Sequence, residues 1–93
     1  MKEIVWTDIA LQRLDDLLQI VVQEDVLVAH QKIDEVNDVL YLVSMFPELG
    51  RVMENQKAYY FREIIIRRVY KLSYQFTDDT LYVLSIRHSR QQS

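Results

Sequence analysis

The sequence predicts an α+β domain of two layers, a helical hairpin laid against an antiparallel sheet. Three observations carry that expectation. Apolar residues recur at spacings of three and four from residue 8 to about residue 45. After Gly50 the period changes to two. Between the two regimes stands Pro47-Glu48-Leu49-Gly50, which holds the only proline and the only glycine of the 93 residues. A chain of this length is expected to be a single domain, residues 1–93, with one modest core.

Each element follows in order. Glu3-Ile4-Val5-Trp6 is short, β-branched and aromatic, and reads as a first strand over residues 3–6. Thr7 can cap a helix with its hydroxyl, and Asp8 suits the positive helix start. Ala10, Leu14, Leu17 and Val21 then form the apolar stripe of a helix over residues 8–22. A second stripe, Val26, Ala29, Ile33, Val36, Leu40 and Val43, predicts a helix over residues 26–45. Gln23-Glu24-Asp25 separates the stripes, so a tight antiparallel hairpin is expected rather than one helix of roughly 35 residues. Pro47 stops the second helix. Strands follow over about 60–67, 69–76 and 81–88, with Thr77-Asp78-Asp79-Thr80 as a hairpin turn. They form a three-stranded antiparallel meander, whose sheet the first strand can join.

Alternation sorts the sheet into two faces. With Ile64, Ile66, Tyr70, Leu72, Tyr74, Leu84 and Ile86 toward the helices, the other face carries Glu63, Ile65, Arg67, Lys71, Ser73, Gln75, Val83, Ser85 and Arg87. That second face is polar and basic. Arg62 and His88 fall at the ends of the core-facing rows. A bulge would exchange these assignments.

Composition excludes several classes. Apolar residues make up 49% and charged residues 27%, ordinary for a folded domain. No cysteine is present, so neither a disulfide nor a thiolate metal site is available. The start of the chain has no apolar signal core, and no run reaches the roughly 20 apolar residues of a membrane span. A cytoplasmic protein without membrane association is expected. The formal charge of −3 is unevenly distributed. Residues 1–50 hold three Lys or Arg against ten Asp or Glu, and residues 51–93 hold eight against four. The second half can present a basic face to an anionic partner, or both faces are simply solvated.

Chemical motifs are sparse. No glycine-rich phosphate loop or HExxH occurs. His30 and Asp34 share a helix face but lack a third ligand, so neither a metal nor another cofactor is expected. His88, between Arg87 and Arg90, is the histidine better placed for proton transfer, or else it packs at the sheet rim. Arg67, Lys71 and Arg87 can bind phosphates with Glu63 as a general base, which is nearly all a metal-free ribonuclease needs. The same residues also read as a cross-strand salt bridge. The six tyrosines can stack bases, but Tyr70, Tyr74 and Tyr82 align with core leucines and read as packing.

These pieces resemble the RelE/ParE toxin superfamily over nearly the whole chain. The matching segments are Ile4-Val5-Trp6-Thr7, the stripe through Ile33, Val36 and Leu40, and Phe46-Pro47-Glu48-Leu49-Gly50-Arg51. Phe61-Arg62-Glu63-Ile64, Tyr70-Lys71-Leu72-Ser73-Tyr74 and Leu84-Ser85-Ile86-Arg87-His88-Ser89-Arg90 continue the match. The resemblance implies a two-layer RelE/ParE-like fold and the toxin of a type II toxin–antitoxin pair, neutralised by a cognate antitoxin. A homodimer or a toxin–antitoxin hetero-oligomer is compatible with it.

The superfamily holds two activities. ParE-like members inhibit DNA gyrase, and RelE-like members cut mRNA on the ribosome. The Pro-Glu-Leu-Gly-Arg turn, the His88-Ser89-Arg90 ending, the hairpin length and the acidic net charge look ParE-like. Were the chain RelE-like instead, the resemblance would assign catalysis to Glu63, Arg67, Arg87 and His88. Arg51, Arg62, Lys71, Arg87, His88 and Arg90 are the candidates for contact with target or antitoxin. A third reading is a non-toxic binding module that keeps only the antitoxin surface.

Overall fold

The computed structural model describes residues 1–53 and 60–89. Strand β1 (Glu3–Trp6) leads into helix α1 (Asp8–Glu24) and helix α2 (Val26–Met45). A 3-10 turn (Pro47–Leu49) then enters β2 (Arg51–Val52), followed by β3 (Phe61–Ile66), β4 (Tyr70–Phe76) and β5 (Thr80–His88).

The helix boundaries have visible chemical causes. The Thr7 hydroxyl accepts the Ala10 N–H at 3.2 Å, and the Asp25 carboxylate accepts the Leu27 N–H at 2.8 Å. Asp25 alone is extended, with φ −159° and ψ 116°, and that single residue turns α1 into α2. Neither Gly nor Pro is needed, because the turn never enters the left-handed region. Pro47 ends the helical run and begins the 3-10 turn.

The sheet has five strands in the order β1-β5-β4-β3-β2. Three expected strands form the antiparallel centre. β1 runs parallel to β5, with Val5 opposite Tyr82 and Trp6 opposite Val83. β2 is an additional antiparallel edge strand, with Arg51 opposite Glu63. Two residues are too short to display an alternation, so the sequence gives no sign of it.

The helices cover one face of the sheet. Ala10, Val36, Leu40 and Val43 pack there against Ile66, Leu72, Tyr74, Leu81, Val83 and Ile86. Each fully buried aliphatic side chain among these contributes about 1.5–3 kcal/mol.

One facing assignment is corrected. Strict alternation placed Leu84 and Tyr82 with the core and Val83 on the open face. Instead Leu81 and Val83 are buried and Tyr82 and Leu84 are only half-buried. The pairing of β4 with β5 shifts by one residue, from Ser73 opposite Ser85 to Tyr74 opposite Val83. Leu84 is the extra residue of a β-bulge, and the inward phase of β5 reverses across it. Thr7 fastens this irregularity, since its N–H and its hydroxyl both donate to the Val83 carbonyl, at 3.1 and 2.8 Å.

Candidate functional site

The face of the sheet away from the helices carries the polar groups. Arg51, Glu63, Ser73 and Ser85 stand in one cross-strand row, and Ile65, Lys71 and Arg87 form the next. The two rows meet at Glu63. Its Oε1 lies 3.0 Å from Arg51 Nη2 and its Oε2 lies 3.8 Å from Arg87 Nη2. Glu63 is 7% exposed, while the Arg51 side chain is 73% exposed. The carboxylate is thus a buried anion held by an exterior guanidinium and a diagonal one. Its charge is answered within the sheet, and a geometry of this kind is worth more than a loose surface pair.

The candidate catalytic set is therefore split. Glu63 and Arg87 come together on the open face. Arg67 sits outside the strands, in the turn between β3 and β4. His88 lies directly opposite Tyr70 on the helix-facing side, and the two rings meet edge to face at 6.0 Å. The sheet stands between His88 and Glu63. The register of β3, β4 and β5 puts residues 63 and 88 on opposite faces.

Arg62 occupies an interior place. It is 8% exposed, and its Nη1 donates to the carbonyls of Glu48 at 3.2 Å and Gly50 at 2.9 Å. Beside it the Tyr74 hydroxyl donates to the Pro47 carbonyl and accepts the Gly50 N–H at 2.9 Å. Burial raises the Tyr74 pKa above its ordinary value, opposed by the Gly50 hydrogen bond and the Arg62 charge. Two side chains from the sheet thus satisfy backbone groups of the 3-10 turn and of Gly50 that follows it. Arg62 binds the fold together with the charge the sequence analysis assigned to recognition.

Of the remaining candidates, Arg51 is exposed, Lys71 and Arg87 are half-buried on the open face, and Arg90 lies outside the described residues. Among the described residues no three His, Asp or Glu side chains gather as a metal site. None of the described helices is long and apolar enough to cross a membrane.

A second surface was not singled out by the sequence reading. Tyr41, Leu42, Met45, Phe46, Leu49 and Val52 are all exposed as the chain passes from α2 through the 3-10 turn into β2. The signal was present as the outward half of an almost wholly apolar stretch. Residues on the outer side of a helix are ordinarily polar, and these are not.

Comparisons with known proteins agree with this architecture. The family model for the ParE toxin of type II toxin–antitoxin system, parDE, matches residues 4–93. Among solved structures, a chain of the chromosomal ParDE TA system from P. aeruginosa has the same fold. It superposes with a TM-score of 0.72 at 16% identity, covering 95% of this chain and 96% of that one. No curated protein sequence matches significantly.

Proposed function

This chain belongs to the ParE toxin family of type II toxin–antitoxin systems, and on that premise we propose that it inhibits DNA gyrase and is neutralised by a cognate antitoxin. The observation that favours gyrase over mRNA cleavage is the division of the acid–base groups between two faces. A metal-free ribonuclease needs its base and acid within hydrogen-bond reach of one phosphate. Glu63 is clamped by Arg51 and Arg87 on one face, and His88 packs on Tyr70 at the other. The action is in the cytoplasm, where gyrase works.

The antitoxin is a protein segment that covers the apolar belt from Tyr41 to Val52. Exposed apolar side chains at this density favour a protein partner. Among the described residues the adjoining strand β2 is paired on one side only, by β3, and its outer edge can receive an extended chain.

The test is supercoiling of relaxed plasmid by gyrase with ATP, titrated with the purified chain. Inhibition or trapped cleaved DNA, reversed by the antitoxin, is the expected result. Glu63→Gln keeps the side-chain shape and should leave inhibition within about threefold. A ribosome-dependent nuclease that used Glu63 as its base would instead lose about 10²–10⁴-fold in cleavage. No inhibition by folded protein, together with mRNA cleavage on translating ribosomes, refutes the gyrase reading.

A further inference from the structure

Two features at one end of the sheet cost stability, a strained turn and a like-charged pair. The first is the β3–β4 turn. Arg67 and Arg68 both have left-handed backbone, with φ 54° and 60°. A turn with two successive positive φ values favours Asn-Gly or Gly-Gly, and β-carbons there are strained. The turn is nevertheless firmly built. Val69 N–H donates to the Ile66 carbonyl at 3.0 Å, and Ser89 donates through its N–H to Val69 O and through its hydroxyl to Arg68 O. Both arginine side chains are exposed.

The second feature is the like-charged pair just beyond the turn. Lys71 stands directly opposite Arg87, an arrangement that repels across a strand pair. Arg67, Arg68 and Lys71 have no ion-pair partner among the described residues, and Arg87 has only its 3.8 Å approach to Glu63.

We propose that Arg67, Arg68, Lys71 and Arg87 form a phosphate-contacting face that takes the backbone of duplex DNA. The Lys71–Arg87 repulsion points to a bound anion that relieves it, and the strained turn keeps two further cations beside that pair. The chemistry favours nucleic acid over an acidic protein. Protein interfaces centre on apolar and aromatic residues with an occasional Arg, whereas DNA interfaces are much more strongly cationic. Ile65, Lys71 and Arg87 share one cross-strand row, with Arg67 and Arg68 in the adjoining turn, and the belt suited to a protein lies elsewhere, between Tyr41 and Val52. The net charge of −3 confines binding of free DNA to low salt, so at higher salt the DNA is met where another protein holds it. That last step rests on the gyrase reading, and the contact itself does not.

The experiment is fluorescence anisotropy of the full chain with a labelled duplex of about 20 base pairs, from 25 to 200 mM salt. Four phosphate contacts predict a slope of log K against log salt of about −3 to −4. The R67N/R68G variant installs the residues the turn prefers. It should melt at a higher temperature than the parent, yet bind DNA at least tenfold more weakly and with a slope shallower by about two. K71Q, within a strand, should lose about one. Absence of salt-dependent binding by folded protein overturns the proposal, as does an unchanged slope in R67N/R68G. Loss of antitoxin affinity in that variant, without duplex binding by the parent, also overturns it and assigns the face to an acidic protein. Duplex binding with the expected slopes, beside intact gyrase activity, sustains the phosphate face and refutes the gyrase reading alone.

Discussion

Replacing Gly50 by Ala should be among the most damaging small changes in this chain. Gly50 has ordinary extended backbone, with φ −75° and ψ 161°, so conformation alone would accept any residue. Space is the constraint. A β-carbon there would lie 2.6 Å from the Tyr74 hydroxyl, 2.8 Å from the Glu63 carbonyl oxygen and 2.9 Å from Tyr74 Cε1. Two of these atoms belong to a buried tyrosine and one to a central backbone, so none is free to yield. Overpacking of this kind costs about 1–3 kcal/mol. Displacing Tyr74 also breaks its bonds to Gly50 N–H and Pro47 C=O, at about 1–3 kcal/mol for buried groups left unpaired. Alanine recovers about 0.4–1 kcal/mol through the unfolded chain. The balance is a loss of about 2–4 kcal/mol, or a fall in Tm of roughly 10–25 °C for a domain of this size. Urea denaturation at 25 °C with a parallel thermal melt measures it. Tyr74→Phe removes the nearest clashing atom, so the double variant should lose less than the two single losses added together. A Gly50→Ala protein within about 0.5 kcal/mol of the parent would refute the close-packing argument.

Other expectations can be checked on the same samples. Thr7→Ala removes the α1 cap and the hydroxyl bond to Val83 O, and should cost about 1–2 kcal/mol in urea, with Thr7→Ser retaining most of it. Tyr70 and Tyr74 both have pKa values raised above 10.0, chiefly by burial, with the Glu35 charge adding to the rise at Tyr70. Their neutral forms are favoured by the fold, so stability is fully present below pH 10 and falls as the pH climbs through the raised values. Denaturation midpoints at pH 9, 10 and 11 should show that decline, and Tyr70→Phe should flatten it.

The architecture was legible because both regimes of periodicity are strong and one Pro–Gly turn separates them. The bulge at Leu84 was not, for a specific reason. Leu81, Val83, Leu84 and Ile86 are all apolar, so either phase of β5 presents a hydrophobic face, and pattern alone does not choose. The choice is made by Thr7, seventy-six residues away in the chain, which donates twice to the carbonyl of Val83. Arg62 misled for a different reason. An arginine in an inward row reads as a rim residue unless carbonyl groups await it, and here Glu48 and Gly50 supply them. Glu63 and Arg87 were legible as neighbours because alternation places them on one face in adjoining rows. The strain at Arg67 and Arg68 left no trace, since arginine is a residue the turn does not prefer.

The pairing of β1 with β5 also sets a clock. Trp6 finds Val83 only after residue 83 has been made, and the Glu3 N–H finds the Asp79 carbonyl at the same late stage. At synthesis rates of about 5–20 residues per second, β1 waits roughly 4–15 s for its neighbour. The helical hairpin, built from local contacts, can form within that interval. A product that stops short of β5 leaves α1 without the strand it packs on and β1 without its partner. The sheet is therefore completed only at the end of synthesis, and a copy that stops before β5 should fail to fold cooperatively.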